Sequence, residues 1–211
     1  MKLEIKPLTP GLAEDFFDFF DNRAFADNSP MQPCFCCRPQ MTKEQEEVEL
    51  FGLIKENPGV MPRDIPSFKS TLRKIAEQQI LAGYLQGYLA YEDGVSIGWC
   101  NANDKENYST LGIGEEIRNV YKDSPNERIK SVLCFEIAPN YRGKGVATAL
   151  LIQVCEDAKI KGFDAIEGYP QLRAQRETFD FIGPARLYEK VGFIKMAEHA
   201  NVAIMRKEIE K

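Results

Sequence analysis

Apolar positions recur along the chain in two rhythms, one of period two and one close to 3.6 residues. Lys2 to Leu8 alternates Leu3 and Ile5 with charges, the pattern of a first strand. Thr9-Pro10 then caps a helix whose apolar face carries Leu12, Phe16, Phe19 and Phe20. Phenylalanines fill four of the five positions from 16 to 20, which a core explains by default and a pocket wall explains more sharply. Ser67 caps a longer helix through Ala82, with Leu72, Ile75, Ala76, Gln79 and Ile80 along one face. Tyr84 to Tyr91 and Val95 to Asn101 flank Glu92-Asp93-Gly94, a strong hairpin signal. Ser131 to Ile137 reads as a buried strand, and Val146 to Lys161 as a helix with Ala147, Leu150, Leu151, Val154 and Ala158 in one stripe. Ala165 to Tyr169, Phe193 to Ala197 and Val202 to Lys207 read as further strands.

The segments between are uneven. Asp27-Asn28-Ser29-Pro30 breaks the first helix, Lys43 to Lys55 reads as a charged helix, and Asn57-Pro58-Gly59 and Arg63-Asp64-Ile65-Pro66 are further breakers. Residues 103 to 128 are polar, with a turn of helix expected over Glu115 to Tyr121, and residues 170 to 181 form an insertion. There are no internal repeats and no low-complexity tracts.

The stretch with most chemical content is Ile137-Ala138-Pro139-Asn140-Tyr141-Arg142-Gly143-Lys144-Gly145-Val146-Ala147, which joins the buried strand to its helix. Gly143 and Gly145 let the main chain approach a ligand with no Cβ in the way. The first amides of the helix have no intrahelical partners and sit at the positive end of the helix dipole. Such a turn binds anions, most naturally phosphates. A Walker loop would need Gly-Lys followed by Ser or Thr, and Lys144 is followed by Gly145. A dinucleotide fingerprint would need a third glycine.

The pattern Arg142-x-x-Gly145-x-Ala147 resembles the Gln/Arg-x-x-Gly-x-Gly/Ala signature of the GNAT superfamily of acyl-CoA-dependent N-acyltransferases. Downstream, Gly183-Pro184-Ala185-Arg186-Leu187-Tyr188-Glu189-Lys190-Val191-Gly192-Phe193 resembles the late helix of that family. Pro184 suits a first helical position and Gly192 a left-handed residue past the helix end.

The resemblance implies an α/β (α+β) fold, a mixed and mostly antiparallel sheet of six to seven strands with helices on both faces. It implies one domain over residues 1–211, with a long insertion between the first two helices at about 27–66, in the region that covers the acceptor. Acetyl-CoA is the implied cosubstrate, held by the amides of the turn, with Arg142, Gly143, Lys144, Gly145, Val146, Ala147 and Thr148 as its residues. The amides of Phe135 and Ile137 would stabilise the oxyanion, and Tyr188 would protonate the departing thiolate. The reaction implied is direct attack by a primary amine, on a small molecule or a peptide, in a ternary complex.

Two departures stand out. The position of a family carboxylate six residues before Ile137 holds Ser131, and the usual asparagine seven residues before Tyr188 is Phe181. Glu136 is the acid that remains in the strand, and alternation turns it away from Phe135 unless a bulge reverses the face. A covalent route through Cys134 lacks a base or a nearby cation.

Charge narrows the partners. Lys and Arg total 27 against 32 Asp and Glu, a net charge of −5, which argues against nucleic acid. Neither a signal-peptide core nor a bilayer-length apolar run is present, so a cytoplasmic protein with no membrane partner is expected; a homodimer is the assembly left open. Cys100, Cys134 and Cys155 lie in apolar runs. Cys34, Cys36 and Cys37 sit in a proline-flanked loop, where packing, a redox-sensitive thiol and a metal site all remain open, although zinc usually asks for four ligands at wider spacing. No metal is expected. A noncatalytic acyl-CoA sensor on the same fold is the alternative reading.

Overall fold

The period-two segments become strands β1 (Leu3–Pro7), β2 (Gly87–Glu92), β3 (Val95–Asp104), β4 (Ile129–Ile137), β5 (Ala165–Gly168), β6 (Ile194–His199) and β7 (Val202–Glu208). The computed structural model describes residues 2–29, 31–108, 126–172 and 181–210. Within these the strands form a seven-stranded sheet in the order β1-β2-β3-β4-β5-β7-β6. Every neighbouring pair is antiparallel except β4 and β5. At the β2–β3 hairpin, Asp93 and Gly94 both take positive φ (49° and 79°), which matches the strand twist and explains why Asp-Gly is found there. β2 starts at Gly87, later than its apolar run suggests. A Cβ at Gly87 would lie 2.1 Å from the Cys100 carbonyl and 2.4 Å from the Trp99 ring.

The helices are α1 (Ala13–Asn22), α2 (Lys43–Glu46), α3 (Gly52–Glu56), α4 (Pro66–Leu81), α5 (Val146–Ile160) and α6 (Ala185–Lys190). One face of the sheet buries the α1 phenylalanines and Leu72 and Ile75 of α4 against Leu89, Tyr91 and Trp99. The alternate strand positions, Tyr88, Ala90 and Ile97, pack with Leu150, Leu151 and Val154 of α5 and Leu187 of α6. Phe16 meets Trp99 edge-on at 4.9 Å, so the aromatic run is core.

Three boundaries differ from the pattern. Thr9 makes no side-chain cap, and a 3-10 turn over Pro10–Leu12 precedes α1. Ser67 lies inside α4, whose cap is Ile65 with Pro66 at the first turn, where a missing N–H removes no bond. The charged helix expected over Lys43 to Lys55 begins with a Thr42–Gln45 capping box and is split by a π turn over Glu47–Phe51, which contains the buried Leu50. The turn expected at Glu115 to Tyr121, Pro30 and most of the insertion at 170 to 181 lie outside the described residues.

A buried polar chain crosses the sheet. Glu167 of β5, fully buried, accepts from Arg206 (3.0 Å), Lys105 (2.7 Å) and the Tyr169 hydroxyl (2.8 Å). Tyr169 also meets Ser131 Oγ at 3.0 Å, and the Tyr108 hydroxyl donates to Asn101 Oδ1 at 2.7 Å and to the Ser131 carbonyl at 3.2 Å. Among the described residues no helix is long and apolar enough to cross a membrane, and no group of three or more His, Cys, Asp or Glu could hold a metal ion. Glu167→Ala should destabilise the protein by about 1–3 kcal/mol, because it removes the buried acceptor shared by Arg206, Lys105 and Tyr169, while Arg206 keeps its pairs with Glu127 and Glu208. The shift in urea midpoint measures it.

Candidate active site

β4 pairs with β3 along most of its length but with β5 only from Ile129 to Val132. Beyond that point the two strands part. Gly168, the last residue of β5, lies under the Tyr188 ring, and a Cβ there would come within 2.0 Å of it. In the β3–β4 register Asn101 faces Cys134 while Ala102 faces Val132, so Leu133 is the extra residue of a bulge. After the bulge, Phe135 and Ile137 pack with α5, and Cys134 packs with the α1 and α4 core. Glu136 follows Cys134 in the alternation and lines a cavity with it, so the bulge does not bring it to the Phe135 face.

The turn after β4 has the open form its glycines suggest. Gly143 and Gly145 take φ of 74° and 89°, and nothing lies within 4 Å of a Cβ built on either. Gly145 is the cap of α5 and no side chain caps the helix, whose first ladder bond runs from the Ala149 amide to the Gly145 carbonyl. Val146, Ala147 and Thr148 thus form an uncapped first turn beside exposed Gly143, Lys144 and Gly145. The Arg142 guanidinium is engaged away from the turn. It donates to the Ile137 carbonyl (2.9 Å) and pairs with Glu136 (3.2 Å) and Asp27. These partners hold the side chain on the Glu136 side of β4, leaving the turn its backbone and Lys144.

Where the strands part, the short segment Phe181-Ile182 lies against β4. The Phe181 carbonyl accepts from the Phe135 amide at 2.6 Å. The Ile182 carbonyl accepts from the Tyr188 hydroxyl at 2.8 Å. Two consecutive carbonyls therefore occupy two of the three donors that the sequence singles out. Tyr188 is fully buried, in edge contact with Phe135 and Phe193. Phe135 and Ile137 lie opposite Cys100 and Gly98 of β3, and because the next amide, Ala138, donates to the Ile97 carbonyl of β3, the Ile137 amide faces the parted edge like that of Phe135.

On the other side of β4 is a cavity of about 250 Å³ whose walls include Phe20, Met31, Cys36, Cys134, Glu136 and Phe181. Its lining is mostly apolar. Burial pushes the Glu136 carboxyl up to about 8, against the opposing pull of Arg142. Burial also raises Cys34, to about 12, and Cys37. Cys36 moves the other way, because the Cys134 thiol and the Asn101 side chain donate to its sulfur.

Residues 84–195 match the family model described as the acetyltransferase (GNAT) domain. The chain belongs to the GNAT acetyltransferase family. Solved GNAT structures share its fold. One, an acetyltransferase from Streptococcus pneumoniae, is 16% identical over 99% of this chain and 100% of that one, with a TM-score of 0.50. Another, from Listeria monocytogenes, is 12% identical over 98% and 95%, with a TM-score of 0.54. The GNAT domain of S. lividans PAT is 15% identical over 98% and 90%, with a TM-score of 0.51. No curated protein matches the chain.

Sequence reasoning missed Phe181, Ile182 and Cys36 as parts of this GNAT site. The first two carried no polar signal, since they act through their carbonyls. Cys36 was visible only as one of three neighbouring thiols. Tyr188→Phe should lower stability by about 0.5–1.5 kcal/mol by removing the bond to the Ile182 carbonyl, read from the denaturant midpoint.

Proposed function

We propose that the protein transfers an acetyl group from acetyl-CoA to a primary amine of a small molecule or peptide by direct attack in a ternary complex. The observation that carries this reading is the pair of backbone carbonyls seated on the Phe135 amide and the Tyr188 hydroxyl. In this reading the same two donors serve the carbonyl oxygen and the sulfur of a bound thioester. An entering acyl-CoA would displace Phe181-Ile182 and take over both bonds.

In this reading the uncapped start of α5 holds the pyrophosphate through backbone amides, with Lys144 adding charge. The Phe135 amide receives the oxyanion as the tetrahedral intermediate forms. Tyr188 then gives its proton to the leaving thiolate. The acceptor enters the cavity on the Glu136 side of β4. An alkylamine of pKa near 10.4 costs about 4.6 kcal/mol to neutralise at pH 7. A carboxylate whose pKa lies near 8 is better matched to remove that proton than an ordinary one. Burial sets that value, and the charge of Arg142 holds it from rising further. The mostly apolar walls favour an amine on an apolar body.

Two outcomes test the reading. A base must be ionised to act, so kcat/KM with a responsive amine should fall about tenfold per pH unit below 8. Glu136→Gln should lower kcat/KM and remove the limb that belongs to this group. Gly145→Glu places a carboxylate and a strained left-handed residue where phosphate belongs, and should weaken coenzyme A binding by about 10- to 100-fold in calorimetry. Unchanged affinity would remove the turn from the site.

A further inference from the structure

Three thiols line the acceptor-side cavity, and two of them are brought together by the sheet. Asn101 and Cys134 are direct cross-strand partners, so their side chains leave the sheet on one face about 5 Å apart. Asn101 Nδ2 donates to the Cys36 carbonyl at 3.0 Å and to its sulfur at 3.3 Å. The Asn101 oxygen is held by the Tyr108 hydroxyl, which fixes the amide with its N–H groups toward Cys36. The Cys36 sulfur thus sits over the Asn101–Cys134 pair, and the Cys134 thiol donates to it. The Trp99 indole N–H, fully buried and with no other acceptor, faces the same sulfur.

The loop gives Cys36 little freedom to leave. Phe35, buried, packs edge-on with Phe17 at 5.7 Å, and Cys37, buried, is within 3.6 Å of the Leu72 carbonyl. Between them Cys36 adopts a φ of 51°, a left-handed conformation costly for a side chain that bears a Cβ. The Asn101 amide donates to a sulfur that the backbone holds in place and that borders an open cavity, with the Cys134 thiol and the Trp99 indole beside it.

We propose that Cys36 is a site of reversible oxidation by hydroperoxides, with Cys134 as the resolving thiol, and that the resulting disulfide closes the acceptor cavity. In the first step the Cys36 thiolate attacks one oxygen of hydrogen peroxide. A sulfur–oxygen bond forms, the oxygen–oxygen bond breaks, and the departing hydroxide takes a proton to leave as water. In the second step the Cys134 sulfur attacks the sulfenic sulfur. The disulfide bond forms, the sulfur–oxygen bond breaks, and the hydroxyl leaves with the Cys134 proton as a second water. Two electrons pass from the thiols to the peroxide. The assignment of Cys36 as attacking thiol agrees with its lowered pKa, since the thiolate is the nucleophile; burial raises the pKa of Cys34, Cys37 and Cys100.

That the cavity receives the acceptor rests on the function proposed above; the disulfide does not. The full chain is treated with hydrogen peroxide, alkylated, digested without reductant and analysed by mass spectrometry. The expected result is a Cys36–Cys134 linked peptide that dithiothreitol removes. In Cys134→Ser, Cys36 should instead be trapped by dimedone as a sulfenic acid. A disulfide confined to other cysteines in the native chain, or a Cys36 that stays reduced in both proteins, overturns the proposal. The oxidised protein should retain coenzyme A affinity while acetyl transfer to a responsive amine falls at least tenfold and returns on reduction. Transfer that survives quantitative Cys36–Cys134 bonding overturns the closure. Loss of coenzyme A binding in the reduced protein would instead refute the acyltransferase reading and leave the mapped disulfide standing.

Discussion

The site depends on one event in the sheet, the parting of β4 from β5 after Val132 and Gly168. A parallel pair normally satisfies the backbone on both sides, and an interior amide without a partner is expensive. Here the bulge at Leu133 turns β4, and the Tyr188 ring fills the space over Gly168. The Phe135 amide is thereby taken out of the β5 ladder while staying deep in the protein. Donors, cavity and late helix all take their positions from that gap.

The chemistry around the gap is organised by how little charge it can hold. Glu136 and the Cys36 thiol border one mostly apolar cavity, and each raises the cost of ionising the other. Arg142 leans on the carboxylate, while neutral donors serve the sulfur. The buried polar chain through Glu167, Tyr169, Ser131 and Tyr108 ends at Asn101, whose oxygen accepts from the Tyr108 hydroxyl and whose N–H groups face Cys36.

Strands, the main helices and the hairpin were legible because each rests on a periodic pattern or a local backbone demand. Asp93-Gly94 needs no context, and neither does Gly145 before α5. Ends governed by tertiary packing were not legible: Gly87 starts β2 late because Trp99 needs its space, and Leu50 is buried within a π turn. The glycine turn after β4 was readable as open backbone, but the direction of the Arg142 side chain was not, since it depends on Asp27, far away in sequence. Glu136 was readable as the acid left in its strand, whereas its altered basicity comes from walls that no short motif encodes. Cys36 was hidden for the same reason, because the Asn101 and Cys134 beside it come from two other strands.

The carbonyls of Phe181 and Ile182 carry a thermodynamic consequence. Because they already satisfy the Phe135 amide and the Tyr188 hydroxyl, a ligand that replaces them exchanges hydrogen bonds rather than adding any. The acyl end of such a ligand would then be nearly neutral in affinity, and the net free energy of association would come from the distant nucleotide end. A truncated thioester lacking the nucleotide would have no means of dislodging the segment. The protein's own peptide groups would thus act as a threshold, one that only a ligand with enough binding energy elsewhere can cross.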